Sequence, residues 1–393
     1  MTAEVKPVYK SNNLCQELGV IEDIVKYLSS RIETWNFPRL LTEVSHIGEP
    51  LQERLGRKLS EYAPESNPET TERKVRNWLS GRNLPSGREE LFKICFALEL
   101  NEKDSQYILG TTAESGIHFR NPRELIYAYC LRKKIDYPQA VRLVEELWKA
   151  PLPEKTIEYQ AFVKETSETE DRKILTASIR NQFKRVQTEE ELRSFLEEYH
   201  DSFGIHHNTA YRKFSKMLEN LLAPENLCAD LPVDRVYSIE KAVNEYLRAG
   251  MPYEKRISGG TVLQKMIKEH WPTAKSIREM YSRKLDVSRK ALMLLYVATE
   301  GMVTDWRGTP EDWLRSHYKR LDLMLRDCGM AELNLHSPFD FLIMQALHKE
   351  NEDDFMGYRL EWMIRKLYPE KETIAFVTAK ADGKQKKRGN YNG

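Results

Sequence analysis

The sequence lacks the motifs that mark several common classes of enzyme. No glycine-rich loop follows a predicted strand, so nothing supports binding of a dinucleotide or a nucleoside triphosphate. No G-x-S-x-G, H-E-x-x-H or paired-cysteine pattern is present either. His206 and His207 are adjacent, and adjacent residues of a helix point about 100° apart, so they are poorly placed to share a metal. We therefore expect no cofactor and no metal.

Cysteine is scarce, and long apolar runs are missing. The 393-residue chain has five cysteines, an odd number without C-x-x-C spacing, which argues against a disulfide framework and fits a reducing compartment. Cys95 and Cys130 lie among apolar neighbours and are predicted to be core thiols. No apolar run reaches the roughly 18 residues of a membrane span, and the opening MTAEVKPVYK lacks the apolar stretch of a signal peptide. We expect a cytoplasmic protein that does not enter a membrane.

A strong excess of charge of either sign is also absent. The 61 lysines and arginines and the 60 aspartates and glutamates leave a formal net charge of +1. Binding to nucleic acid would therefore have to depend on local basic patches. A hydrophobic content of 40% with 31% charged residues describes a globular protein, long enough for two or three domains of about 150 residues.

Alternating, strand-like patterns are nearly absent, and the sequence predicts an all-α protein. Four helix starts place a capping side chain first and an acid three residues later, at Asn121, Thr188, Thr309 and Ser337. Three of them carry proline at the first helical position. Only residues 373–377 are predicted to form a strand, and it is brief.

The most informative stretch is residues 72–98, ERKVRNWLSGRNLPSGREELFKICFAL. Val75, Trp78 and Leu79 share one face of a helix and predict that it is anchored on a core. The opposite face is polar and basic, and it carries Arg73, Arg76, Asn77 and Ser80.

Two signals mark where this helix ends and the next begins. Gly81 is a predicted C-cap, because glycine adopts a positive φ without a steric cost. After Pro85, we predict that Ser86 and Glu89 form a capping box at the start of a second helix that faces the core.

This order of basic helix, glycine, proline-containing turn and apolar helix resembles the later helices of the phage-repressor-like (Cro-type) helix-turn-helix family. The resemblance implies a preceding helix over residues 51–62 and a recognition helix that reaches the base edges or phosphates of double-stranded DNA. The residues in those reading positions are Thr71, Glu72, Arg73 and Arg76. One departure is the connection over residues 63–68, which contains two prolines and is longer than the family's tight turn. The same hydrophobic spacing also describes an ordinary core helix, so that interpretation stays open.

A second basic segment covers residues 254–290, where ten lysines and arginines stand against four acids. The pattern predicts a helix ending near His270, a turn at Trp271 and Pro272, and a basic helix that carries Lys275 and Arg278. An apolar helix follows. Lys275 and Arg278 are candidate nucleic-acid contacts, because lysine and arginine supply most sequence-independent affinity for phosphates. A solvated basic face and a docking surface for an acidic partner are the alternatives.

One short motif resembles part of a catalytic site. His317 and Arg320 form an H-x-x-R step like that of tyrosine recombinases, with Tyr358 or Tyr368 downstream as the formal nucleophile. The β-hairpin of that family is missing, and His317 lies on the apolar face of its predicted helix. We therefore predict a core histidine and a protein that is not an enzyme.

Breaks in the helical pattern divide the chain. Proline, asparagine and aspartate interrupt it at residues 150–153 and 223–234, which are predicted linkers. We predict a helix-turn-helix domain over 1–112, a helical middle domain over 113–235, a helical C-terminal domain over 236–370 and a flexible basic tail over 371–393.

The sequence as a whole predicts an all-α protein in which a repressor-like helix-turn-helix bundle precedes larger helical domains. The region over residues 287–347, which includes Cys328-Gly329 and Pro338-Phe339-Asp340, resembles the C-terminal helical part of largely uncharacterised bacterial proteins that carry a repressor-like helix-turn-helix near the N-terminus. The expected function is DNA binding in bacterial transcription regulation, with a homodimer or a protein partner served by the helical remainder. The alternative is a protein-interaction component of a phage-defence or mobile-element system, in which the helix-turn-helix docks protein. The connection at 63–68 and the near-neutral charge favour that alternative.

Overall fold

The computed structural model describes eight parts of the chain: residues 35–113, 116–148, 176–203, 208–223, 237–252, 261–300, 309–348 and 356–368. Within these parts the protein has 17 α-helices and no strand, which confirms the all-α prediction there. The predicted strand at 373–377, the basic tail, the linker at 150–153 and the histidines at 206 and 207 lie outside the described residues.

The helices are named here in chain order. The first nine are α1 (Phe37–Val44), α2 (Leu51–Tyr62), α3 (Pro68–Leu79), α4 (Arg88–Ala97), α5 (Glu102–Ala113), α6 (Pro122–Lys133), α7 (Tyr137–Leu147), α8 (Thr176–Phe183) and α9 (Glu189–Glu198). The remainder are α10 (Asn208–Leu222), α11 (Ile239–Ala242), α12 (Val262–Lys268), α13 (Ala274–Tyr281), α14 (Arg289–Glu300), α15 (Pro310–Asp327), α16 (Pro338–Leu347) and α17 (Met356–Leu367). A π-helical turn, Val243–Leu247, continues α11.

Local capping signals located most of the predicted helix starts correctly. The Thr188 side chain accepts from the amide of Glu191, whose carboxylate returns the contact, and the Asn121 side chain accepts from two first-turn amides of α6. At the start of α15, the Thr309 side chain accepts from the amide of Asp312. α16 begins after Ser337 as predicted, although the Ser337 side chain makes no capping bond.

Buried apolar side chains form two clusters. The first cluster runs from Phe37 to Phe203, and the second from Ala210 to Tyr368. Leu109 and Leu125, from either side of the predicted boundary at 112, both belong to the first cluster. Side chains from both sides of the predicted boundary thus pack in one core. The boundary itself stays a prediction. Cys95 and Cys130 are fully buried in the first cluster, which confirms that they are core thiols.

The end of α3 has the geometry that its glycine predicted. Gly81 has a φ of 68°, in the left-handed region. Its amide donates to the Trp78 carbonyl at 3.0 Å, and the Arg82 amide donates to the Asn77 carbonyl at 2.9 Å. This pair of bonds is a Schellman motif, which satisfies two carbonyls at the helix end. It stops α3 and turns the chain towards α4.

The start of α4 differs from the predicted capping box. The hydroxyl and amide of Ser86 donate to Glu90, at 3.1 and 2.7 Å, and do not bind Glu89. Glu89 instead accepts from the hydroxyls of Tyr127 and Tyr137, at 3.0 and 2.6 Å. The prediction of a Ser86–Glu89 box was wrong because two tyrosines of α6 and α7 take the Glu89 carboxylate.

The second cluster contains a buried ion pair. Arg289, at the first position of α14, donates to both carboxylate oxygens of Asp340 at 2.6 Å, and both side chains are almost completely buried. Arg289 also donates to the carbonyls of Ala331 (2.9 Å) and Glu332 (3.1 Å). A buried charge needs such partners, because its desolvation otherwise costs several kcal/mol.

The neighbouring lysine of α14 is buried as well. The Lys290 ammonium donates to the carbonyls of Met266 (3.2 Å) and Ile267 (3.1 Å) and makes a further bond to the carbonyl of Glu269. These carbonyls belong to the last turn and the end of α12, where helix carbonyls lack partners within the helix. Lys290 therefore caps α12, and neither Lys290 nor Arg289 contributes to the basic surface that the sequence count assigned to residues 254–290.

Gly81→Ala is expected to lower the free energy of unfolding by about 1–2 kcal/mol, because a Cβ in the left-handed region meets the following carbonyl oxygen. Gly110→Ala is the matched control. Gly110 lies inside α5, and an added Cβ there meets nothing within 4 Å. The control should stabilise the protein by about 0.5–1 kcal/mol. Urea unfolding of both variants measures the difference, and equal effects would contradict the assignment of strain to Gly81.

Asp340→Asn is expected to destabilise the protein by about 3–5 kcal/mol, because Arg289 then remains buried without a counterion. The control is Glu43→Gln, which changes a carboxylate to an amide in an exposed pair. Arg39 and Glu43 lie 3.4 Å apart with side chains 46% and 42% exposed. That change should cost less than about 1 kcal/mol. Chemical denaturation compares the two, and a small loss at Asp340 would show that the buried pair contributes little.

Candidate nucleic-acid interface

The proposed recognition helix, α3, is held against the core by one face. It packs on α1 and α2. Thr71, Val75 and Trp78 form its inner face and are at most 8% exposed. The predicted anchoring by Val75 and Trp78 is thus correct. Thr71 was predicted to reach DNA, but it precedes Val75 by four residues and so shares the buried face, which removes it from the contact set.

The outer face of α3 holds the other three predicted residues. Glu72, Arg73 and Arg76 are all exposed. The side chains of Arg73 and Arg76 form neither a hydrogen bond nor an ion pair with any described residue. Their guanidinium groups are therefore available to an external partner.

The basic residues of α2 are in a different situation, because carboxylates neutralise them. Arg54 and Arg57 both bind Glu49, at 3.0 and 2.9 Å. The hydrogen bond from Arg54 is the largest influence on Glu49 and lowers its pKa. Lys58 lies 3.5 Å from Asp136. Of the two helices of the candidate motif, α3 is the one that presents uncompensated arginines.

The charge on α3 is nonetheless moderate. Glu69 and Glu72 are exposed on the same helix as Arg73 and Arg76. Lys74 is exposed too, but its ammonium lies 3.2 Å from Glu90 at the start of α4. Any affinity for phosphates would therefore rest on two arginines of α3.

One exposed arginine beside this helix escaped the sequence analysis. Arg82 follows the Gly81 turn and is exposed, and its guanidinium group has no partner among the residues that the structure describes. The signal was present, since a basic residue directly after a glycine C-cap lies at the exposed end of the helix. Arg82 therefore extends the group formed by Arg73 and Arg76.

The second predicted pair lies on another part of the framework. Lys275 and Arg278 are on α13, which packs against α10 and α11. Both are exposed, but each faces an acid: Lys275 is 3.9 Å from Glu279, and Arg278 binds Glu240 of α11. The structure thus places both residues on the surface with part of their charge compensated.

The H-x-x-R step does not form the site that its spacing suggested. His317 is 2% exposed, and its Nδ1 lies 2.7 Å from the Tyr296 hydroxyl. Burial, and then the charge of Arg320, lowers the pKa of His317 to about 4. The Tyr368 hydroxyl donates to the carbonyl of Gln264 at 2.6 Å, and Tyr358 is 72% exposed. His317 is therefore a core histidine, as predicted.

A cleft of about 460 Å³ lies where the two clusters meet. Its size falls within the range of small-molecule sites, roughly 300–1,000 Å³. Arg180 of the first cluster lies 3.4 Å from Glu332 of the second across this junction, and the Trp35 ring stacks on His336 with centroids 4.2 Å apart. These contacts join the two clusters through polar and aromatic side chains.

Two further classes of feature were searched for in the described residues. None of the helices there combines the length and the apolar character that crossing a bilayer demands. Histidine, cysteine and carboxylate side chains in the same ranges form no group of three or more that could hold a metal ion.

Comparisons with known proteins yield no relative. No family model, no curated protein and no solved structure matches the chain significantly. The likeness to phage-repressor-like helix-turn-helix proteins therefore rests on the residues of this sequence and remains a proposal.

We expect stability to fall as the pH drops from about 6.5 towards 4, partly because of His317. The unfolded chain takes up a proton near 6.5, whereas the folded protein accepts it only near 4. His317→Gln should flatten this dependence, and His46→Gln, at an exposed site on the surface, should not. Thermal unfolding across this pH range measures it, and equal pH dependence in both variants would refute a neutral buried His317.

Proposed function

We propose that the protein binds double-stranded DNA through α3 and regulates transcription in the bacterial cytoplasm. The observation that carries the proposal is the state of Arg73 and Arg76. Both are exposed and unpaired, on a helix whose opposite face is buried. Exposed arginines without a partner also occur singly elsewhere in the described residues, at Arg142 and Arg315, whereas α3 presents two of them three residues apart on one face.

The spacing of these arginines suits the major groove, which is wide enough to admit an α-helix. Arg73 and Arg76 are three residues apart, so they lie on one face about 4.5 Å apart along the axis. An arginine there can donate two parallel bonds to the O6 and N7 atoms of guanine, the commonest specific contact. Glu72 is beside them and is placed to accept from a cytosine amino group.

The rest of the helical framework has a supporting role in this proposal. A dimer would place two copies of α3 on two half-sites one helical turn of DNA apart. The near-neutral overall charge of +1 means that non-specific affinity should be low, since that affinity comes from phosphate neutralisation. Lys275 and Arg278 are a secondary candidate surface, weakened by Glu279 and Glu240.

A protein-docking role is the second candidate, and one observation favours it. Tyr358 and Trp362, four residues apart on α17, are 72% and 44% exposed. Exposed tyrosine and tryptophan are enriched at the centres of protein interfaces. Tyr358 and Trp362 therefore fit a component that binds another protein.

Selection from a pool of random duplexes, followed by gel-shift titration, tests the proposal. The wild-type protein should select a sequence and shift it. Arg73→Ala combined with Arg76→Ala should weaken that binding by about 30-fold or more, since each bidentate contact contributes about 1–3 kcal/mol.

The matched control is Arg142→Ala combined with Arg315→Ala. Both arginines are exposed and have no partner within the described ranges, and they lie on α7 and α15. The control removes the same charge and should bind as the wild type does. Equal losses in both double variants would indicate a mere charge effect, and absence of any shift at low salt would favour the protein-docking role.

A further inference from the structure

A helix of the second cluster contacts the turn that ends α3. The Lys265 ammonium, on α12, donates to the backbone carbonyl of Arg82 at 3.2 Å. These residues are 183 positions apart in the chain. The contact places α12 directly beside the exposed end of the candidate recognition helix.

Contacts at both ends of α12 hold this helix in place at the junction. At its start, Thr261 and Gln264 form a capping box, and the Gln264 amide donates to the carbonyl of Leu367 at 2.5 Å. At its end, the buried ammonium of Lys290 binds the last carbonyls of the helix. Lys265 therefore projects from a helix fixed at both ends.

Two basic residues, Arg82 and Lys265, are joined at this junction by the backbone contact. The guanidinium group of Arg82 has no partner among the described residues, and the backbone carbonyl of Arg82 is the one group that the Lys265 ammonium binds there. An ammonium has three donors, so the carbonyl leaves two of them available. A phosphate oxygen can accept a charge-assisted hydrogen bond from such a donor.

Arg82 and Lys265 lie beyond the C-terminal end of α3. Arg73 and Arg76 share its outer face, and the Gly81 turn carries the chain past the end of the helix to Arg82, where Lys265 follows. By contrast, Lys275 and Arg278 on α13 face Glu279 and Glu240. Within the second cluster, Lys265 is thus the better placed of these side chains to touch a duplex lying on α3.

We propose that Lys265 contacts a phosphate of the same DNA duplex that α3 reads, so that both clusters contribute to one binding surface. The proposal rests on the proposed function of α3. Arg73 and Arg76 contact bases, whereas Lys265, beside Arg82, contacts the backbone and fixes the position of the duplex. Phosphate contacts of this kind orient a protein on DNA and carry no sequence information themselves.

The test measures affinity for the selected duplex as a function of salt in Lys265→Gln. Each phosphate contact contributes close to one unit to the slope of log K against log salt. We expect the slope to become shallower by about one unit and affinity at low salt to fall severalfold, with the ranking of related sequences unchanged. Lys265→Arg should restore both.

Lys319→Gln is the matched control, because Lys319 is exposed on α15 and has no partner within the described part of the chain. It should leave the slope unchanged, and circular dichroism should show both variants folded. An unchanged slope in Lys265→Gln, with binding still lost in the Arg73 and Arg76 double variant, would overturn the phosphate contact and leave the proposed function intact. A changed sequence ranking would also overturn it. If the wild type binds no duplex, both proposals fail.

Discussion

The first turn of α4 is held by a charged contact on which the candidate interface depends. Arg88 donates to both carboxylate oxygens of Glu124 on α6, at 2.6 and 2.5 Å, and the His118 amide donates to the same carboxylate at 2.8 Å. Glu124 is 6% exposed, so its charge requires these donors. α4 packs on α2, and α2 packs on α3. The ion pair thus holds α4 in the same group of packed helices that supports α3, from which Arg73 and Arg76 project.

The features that the sequence predicted well depend on neighbouring residues. The Gly81 turn and the Thr188 box involve atoms within a few positions of each other, and local bonding preferences suffice to predict them. The partner of Glu89 could not be predicted in this way. Its carboxylate binds Tyr127 and Tyr137, and only the tertiary arrangement brings α6 and α7 to α4.

Part of the candidate site could be predicted, because that part depends on local helical spacing. Helical spacing was sufficient to anchor α3 by Val75 and Trp78, and the same spacing would have placed Thr71 with them in the core. A count of charges along the chain could not show that Arg289 is buried while Lys265 lies at a surface, because burial depends on distant segments. No local sequence pattern could predict the contact between the Lys265 ammonium and the Arg82 carbonyl, because the two residues are 183 positions apart.

The cap that Lys290 places on α12 also links the formation of two helices. α12 has seven residues, and helices shorter than about 12–15 residues are barely stable alone in water. Its last carbonyls are satisfied by a side chain of α14, some 21 to 24 positions further along the chain. α12 therefore gains part of its stability from α14. Opening of α14 removes three bonds that satisfy the end of α12, so the local stabilities of the two helices are linked.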